Sequence, residues 1–196
     1  MSKPNIVIGK QTYPMTQTTK TLEKIGKMWR KNARISLRKQ DKVNTGALYD
    51  SMNVTVGQNQ FAIYVDITPT VNYWEFVDKG VQGASRNIFP RQSESPFKYG
   101  SGKGGRGLRG AIDKWVLQKG LGGTRDAQGR FTPRKSLVFL ITRAIWNRGL
   151  KPTFFLSGTL KRLKPIAMKW LNAALSKDMA NAIKESLSVN KNIEAK

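Results

Sequence analysis

The chain has no cysteine and no histidine among its 196 residues. Without cysteine there is no disulfide framework and no thiolate metal site. Without histidine the usual general base, the usual zinc ligand and the side chain that titrates near neutrality are all missing. Acids are scarce as well: 12 Asp and Glu stand against 35 Lys and Arg, a formal net charge of +23. No apolar run approaches the ~18 residues of a membrane span. Residues 1–14, MSKPNIVIGKQTYP, hold too short an apolar segment for a secretory signal. No self-similar period of the solenoid kind is visible. Apolar residues make up 39%, under the ~45–50% usual for a compact domain, which leaves part of the chain outside a core.

What is present in excess is positive charge. A field of one sign repels itself and implies an acidic partner, whether nucleic acid, an anionic membrane or an acidic protein. From Ala127 through Lys177 no acid occurs while eleven Lys or Arg do. An ordinary solvated face mixes both signs.

One glycine-rich stretch, KYGSGKGGRG (98–107), invites comparison with a phosphate cradle. The P-loop spacing G-x-x-x-x-G-K-[S/T] would put its first glycine at Phe97 and its Mg²⁺-binding hydroxyl at Gly104, and no apolar strand precedes it. The stretch therefore reads as a mobile cationic loop, glycines giving reach and Lys103, Arg106 and nearby Arg109 giving charge.

The patterning predicts an α+β fold. Residues 1–15, with Pro4, Gly9 and Pro14, read as an extended arm. Residues 18–39 read as a long helix, with Leu22, Ile25, Trp29 and Ala33 on its apolar face. Lys20, Lys24, Lys27, Lys31, Arg34 and Arg38 form a second stripe at the same spacing, a cationic ridge away from the core. After the break at Asn44-Thr45-Gly46, Met52, Val54 and Val56 alternate with polar residues. Phe61, Ile63, Val65 and Ile67 do so on the return, which makes a hairpin. NYWEFVDKG (72–80) reads as a helical turn stopped by Gly80. An insertion at about 81–132 reads as a loop to residue 107, a short helix from Leu108, glycines at 120, 122 and 123 that end it, and a small exposed hairpin or loop at RDAQGRF. Residues 133–148 are apolar around most of the circumference and read as a largely buried helix, with Gly149 at its cap. A long helix follows from Ser157, interrupted or restarted at Pro165. Ala167, Leu171, Ala174 or Leu175, Met179, Ile183 and Leu187 lie along one side of it, and a polar tail occupies 189–196. The economical division is a single domain at 16–188 between an N-terminal arm and that tail.

Little here suits catalysis. Asp66, Glu75 and Asp78 are the one local acidic cluster in the first half. Glu75 and Asp78 on one turn suit either a hard cation such as Mg²⁺ or the turn itself and its cationic neighbours, and the second is preferred. No Ser/Lys spacing selects itself. The expectation is no catalytic residue, no cofactor and no metal. Nucleic acid is the harder class to set aside, because phosphate contact needs only well-placed cations. Between Lys79 and Lys135 thirteen Lys or Arg meet three acids, with Phe89, Phe97, Tyr99 and Phe131 among them, a mixture that suits backbone contact and base stacking. No zinc finger, helix-turn-helix or RNA-recognition consensus accompanies them, so such binding would be independent of sequence.

Three segments in order resemble the tailed-bacteriophage neck and tail-completion family, the head-to-tail joining components. NTGALYDSM (44–52), leading into a hairpin, is similar to that family's T-G-x-L-x-x-S element. VNYWEFVDKG (71–80) resembles its Y-x-x-x-[E]-x-G element, although Val77-Asp78-Lys79 intervene here before Gly80. KPTFFLSGTL (151–160) resembles its late P-x-F-[FL] turn before a C-terminal helix. The resemblance implies a structural virion protein, assembled in the host cytoplasm and carrying no catalysis. It implies a homo-oligomeric ring of six or twelve copies between the portal-side connector and the tail-tube or tail-terminator proteins, with DNA passing through the lumen and no membrane partner. The basic residues Lys20, Lys24, Lys27, Lys31, Arg34, Arg38, Lys103, Arg106 and Arg109 would face that channel or an acidic neighbour. Tyr73, Trp74, Glu75, Phe76, Phe154 and Phe155 would anchor the fold or the subunit contact. The alternative is a non-sequence-specific nucleic-acid-binding protein acting through its basic surface.

Overall fold

A computed structural model describes residues 4–59, 62–100, 107–121, 125, 127–131 and 133–194, with side chains through residue 188. The elements run β1 (Asn5–Ile8), β2 (Gln11–Pro14), α1 (Thr16–Lys39), α2 (Ala47–Asp50), β3 (Met52–Gln58), β4 (Ile63–Pro69) and α3 (Trp74–Lys79). There follow β5 (Val81–Gln82), a 3₁₀ turn (Gln92–Glu94), α4 (Leu108–Gln118), α5 (Arg134–Arg148), β6 (Gly149–Leu150) and α6 (Ser157–Glu194). The fold is α+β, with long helices toward both ends and three antiparallel two-stranded ladders, β1–β2, β3–β4 and β5–β6. The chain divides into two compact units, Met1–Trp74 with Phe154–Lys196, and Glu75–Thr153.

In the first unit α1 buries Leu22, Ile25, Trp29, Ala33 and Leu37, together with Thr18 and Gly26. Helical geometry of about 100° per residue puts these on the side opposite the lysines. α6 runs back along that helix: Trp29 Nε1 donates to the Leu156 carbonyl at 3.0 Å near one end, and Asp178 meets the first turn of α1 at the other. The β3–β4 hairpin, in register from Met52↔Pro69 to Gln58↔Ile63, also lies on α1. Gly26 permits that approach, because a Cβ there would stand 2.3 Å from Val54 Cγ1 and 2.9 Å from Val65 Cγ2. Phe61, expected on the returning strand, lies outside the described residues.

Two expectations fail in this unit. The supposed N-terminal arm is a hairpin: Asn5–Ile8 pairs with Gln11–Pro14, Tyr13 is buried, and the ladder packs on α6. The run Ile6-Val7-Ile8 beside Gly9 is a short strand and its turn, too brief to register as a period. Nor does the long helix end at about residue 188, because α6 continues to Glu194, and it passes through Pro165 without a break. Pro165 deprives the Lys161 carbonyl of its donor, but both residues are on the exposed side of the helix, where a carbonyl is open to solvent. The buried seam of α6 follows the expected side as far as Ala174, with Ala167 and Leu171 half-buried, and departs from it further along. Leu163, Ala174, Asp178 and Ala182 are buried, whereas Met179, Ile183 and Leu187 are exposed.

The second unit is organised around one buried amide. Gln92 has no exposed surface; its Nε2 donates to the Val81 and Arg148 carbonyls, both at 2.7 Å. Its Oε1 accepts from the Ile88 and Phe89 N–H groups at 3.0 and 3.1 Å. Gln82 Nε2 donates to the Ser93 and Ser95 carbonyls, and Ser95 Oγ to that of Gly80. These bonds tie down residues 81–99, expected as a loop of no fixed structure, by side-chain-to-backbone bonding that leaves no periodic signal. Residues 101–106, at the heart of the expected mobile stretch, lie outside the described residues, as do Gly122 and Gly123. α4 and α5 pack together, joined by Arg134 Nε to Asp113 Oδ1 at 3.0 Å. The largely buried helix expected at 133–148 is not observed. Val138 is its one buried residue, while Phe139, Leu140 and Trp146 are 51%, 57% and 43% exposed. An apolar circumference shows that burial is available, not that the rest of the chain supplies it.

Candidate nucleic-acid interface and aromatic turn

The six cations of α1 form one surface. At about 100° per residue they fall within roughly 40° of a common direction, opposite the buried side of a helix held by α6 and the hairpin. Five are exposed and Arg34 is half-buried. Arg34 and Arg38 place their guanidinium carbons 4.7 and 4.6 Å from the centroid of Tyr49, and Arg34 Nε donates to the Tyr49 carbonyl at 2.9 Å. Tyr49 belongs to NTGALYDSM, and it is set there by Gly46, whose positive φ of 82° opens α2. Lys24 Nζ lies 4.5 Å from the centroid of Trp170 on α6. Lys20, Lys27 and Lys31 make no ion pair, hydrogen bond or ring contact among the described residues. The one acid of α1, Glu23, is exposed and forms no ion pair there either.

Beside the last turns of α1 lies an open groove of about 440 Å³, lined by Asn32, Ile35, Ser36, Lys39, Gln40, Thr159 and Arg162. Its charged residues, Lys39 and Arg162, are both positive. It extends the basic character of the helix and contains no acid for acid–base chemistry.

The structure brings two of the three motif segments together. The carbonyls that end α3 accept from Thr153: its backbone N–H lies 3.2 Å from both the Val77 and Asp78 oxygens, and its Oγ1 donates to Val77 at 2.7 Å. Gly80, at φ +72°, turns the chain beneath this contact. A Cβ there would stand 2.6 Å from the Leu150 oxygen and 2.7 Å from the Pro152 nitrogen. Thus VNYWEFVDKG and KPTFFLSGTL form a single knot. Glu75 pairs with Lys79 at 2.8 Å, and Asp78 is buried. Among the described residues no group of three potential ligands could hold a metal ion, and no helix is long and apolar enough to cross a membrane.

The expected anchors separate. Phe155 is fully buried, a core residue of the first unit. Phe154 is half-buried, at an unusual φ of +47°. Phe76 is exposed yet meets Phe97 edge-on with centroids 4.4 Å apart. Tyr73 is exposed and Trp74 half-buried. Of the loop cations, Arg109 is exposed on α4, while Lys103 and Arg106 lie outside the described residues. Sequence reasoning missed Tyr49 as the platform for two arginines, although its place inside a turn motif three residues before the hairpin was a usable signal.

Comparison with family models, curated proteins and solved structures finds no match to this chain.

Proposed function

We propose that this chain is a structural protein of the tailed-phage neck, located in the virion after assembly in the host cytoplasm. It acts as one subunit of a homo-oligomeric ring of six or twelve copies, stacked between the portal-side connector and the tail-tube or tail-terminator proteins. The genome passes through the bore. The observation that carries the reading is the knot between the second and third motif segments, in which Thr153 bonds the end of α3 and Gly80 fits under Leu150 and Pro152. Segments about seventy residues apart would not need to meet for a protein that merely carried charge. Their meeting, made by Thr153 on the Val77 and Asp78 carbonyls with Gly80 close to Pro152, supports the reading that the two segments act as one element. The role asks for no catalysis, and a heterologous contact repeated from copy to copy closes into a ring.

The test is electron microscopy of a lysate from a virus lacking this gene, beside a complemented control. Full heads alongside separate, finished tails are expected. Intact tailed particles in normal numbers would remove the protein from the joint and leave the charge-driven nucleic-acid binder in its place.

A further inference from the structure

The α1 ridge is backed by the core and carries six cations within its arc, the one acid of the helix, Glu23, lying about 20° outside it. Its six cations span about 27 Å of helix, one for each ~5 Å. The only other residue facing the same direction is Thr16. A protein partner gains most of its affinity from buried apolar or aromatic anchors near the centre of a contact, and the two aromatics beside this arc, Tyr49 and Trp170, are already engaged by its own cations. A nucleic-acid backbone, with about one phosphate per 1.7 Å of duplex, asks only for cations within reach of it, and at ~5 Å spacing each cation has phosphates to meet. We propose that this ridge is a docking face for the phosphodiester backbone of double-stranded DNA, engaged without base readout. It deepens the neck reading, on which it rests only for placing that DNA in the bore of a ring.

The surroundings favour this use. Burial of Leu22, Ile25, Trp29, Ala33 and Leu37 on the opposite side fixes the direction of the ridge. Stacking on Tyr49 and Trp170 fixes Arg34, Arg38 and Lys24 before any ligand arrives, so less side-chain freedom is lost on binding. Lys20, Lys27 and Lys31 are left to reach phosphates.

The test measures binding of the purified full-length protein to a short mixed-sequence duplex by fluorescence anisotropy, across a series of salt concentrations. Replacing Lys20→Glu, Lys27→Glu and Lys31→Glu together is compared with Lys114→Glu, Lys135→Glu and Arg143→Glu, an equal change of charge on exposed residues of α4 and α5. The ridge variant is expected to lose roughly tenfold or more in affinity, and to flatten the log–log salt slope by about 3. The control should keep the wild-type slope. Equal losses in both variants would overturn the inference, reducing it to undirected net charge. So would stronger binding to polyglutamate of matched charge than to duplex, which would make the partner an acidic protein. Should the reversal fail to fold by circular dichroism, single Lys→Gln variants at 20, 27 and 31 decide the matter. Each lowers the slope by about 1 if the ridge binds phosphate, and an unchanged slope overturns it. Intact tailed particles in the gene-deletion lysate would sink the neck reading and leave this result standing. Failure here would remove the DNA-facing ridge and leave the joint.

Discussion

The Asp178 carboxylate, 160 residues along the chain from Thr18, accepts that residue's backbone N–H at 2.7 Å and the Gln17 N–H at 3.0 Å. α1 has no capping side chain of its own, since Met15 occupies the N-cap. A buried acid on α6 therefore satisfies two of the unpaired donors of its first turn, and the helix dipole favours the negative charge there. Asp178→Ala should destabilise the first unit by about 2–3 kcal/mol. Asp178→Asn, which keeps one acceptor, loses the charge and turns an NH2 donor toward the other N–H, should cost about 1–3 kcal/mol. Denaturant midpoints, read with the slope held constant, check both values.

Gly26→Ala gives a second test, because helix propensity and packing act in opposite directions. Propensity alone favours alanine by about 1 kcal/mol. The added methyl would stand 2.3 Å from Val54 Cγ1, and such overpacking costs about 1–3 kcal/mol. Net destabilisation is expected, with recovery in Gly26→Ala/Val54→Ala. Both appear as shifts in melting temperature.

How far these features are legible in the sequence depends on what determines them. The two faces of α1 are readable because Leu22, Ile25, Trp29 and Ala33 and the six cations repeat with one period on opposite sides. Gly80 is readable as a stop because a single residue carries the signal. The Asp178 cap is not, since it requires knowing that two helices distant in sequence run back along one another. Gln92 is equally silent: an amide in a polar stretch has no period, and its role exists only where four backbone groups converge. α5 misled because its apolar residues surround the axis and give no preferred side. In α6 the apolar line continues through Met179, Ile183 and Leu187, which are exposed, while Ala182, too small to stand out in the pattern, is buried.

Gln92→Leu is nearly isosteric and leaves two carbonyls and two N–H groups without their partner. The Val81 carbonyl is left fully buried and the other three groups part-buried, so at about 1–3 kcal/mol for a buried orphan a loss of roughly 2 kcal/mol or more is expected. Hydrogen exchange should show Ile88 and Phe89 amides losing protection while amides in the middle of α1 keep theirs. Retained protection at both positions would refute the role given to this side chain.

On α5, Leu140→Ser should change stability by less than about 0.5 kcal/mol, as exposed substitutions generally do. Val138→Ser on the buried side should cost about 2 kcal/mol or more. Comparable losses at the two positions would mean that the helix is enclosed after all.

Tyr99, half-buried with its ring centroid 5.4 Å from that of Trp146, has its phenol pKa raised from the ordinary 10.0 by burial. The fold favours the neutral phenol, so its contribution to stability is complete below pH 10 and is lost as the pH rises through the folded value. Denaturant midpoints followed from about pH 9 to about pH 11 should fall less steeply for Tyr99→Phe than for the parent protein. Parallel curves would show that this phenol is as free to ionise folded as unfolded.

The division of the chain has a consequence for the order in which it is made. The unit Glu75–Thr153 is contiguous, whereas its companion is built from segments on either side of it. On the ribosome, the inserted unit can therefore close while α1 still lacks the carboxylate of Asp178, the carbonyl of Leu156 and the rest of α6. Until that last helix emerges, the apolar side of α1 lacks the cover that α6 gives it beside the β3–β4 hairpin. The six positive charges of its other side are present from the start, before Trp170 arrives to meet Lys24, and like charge of this kind opposes association of unfinished chains.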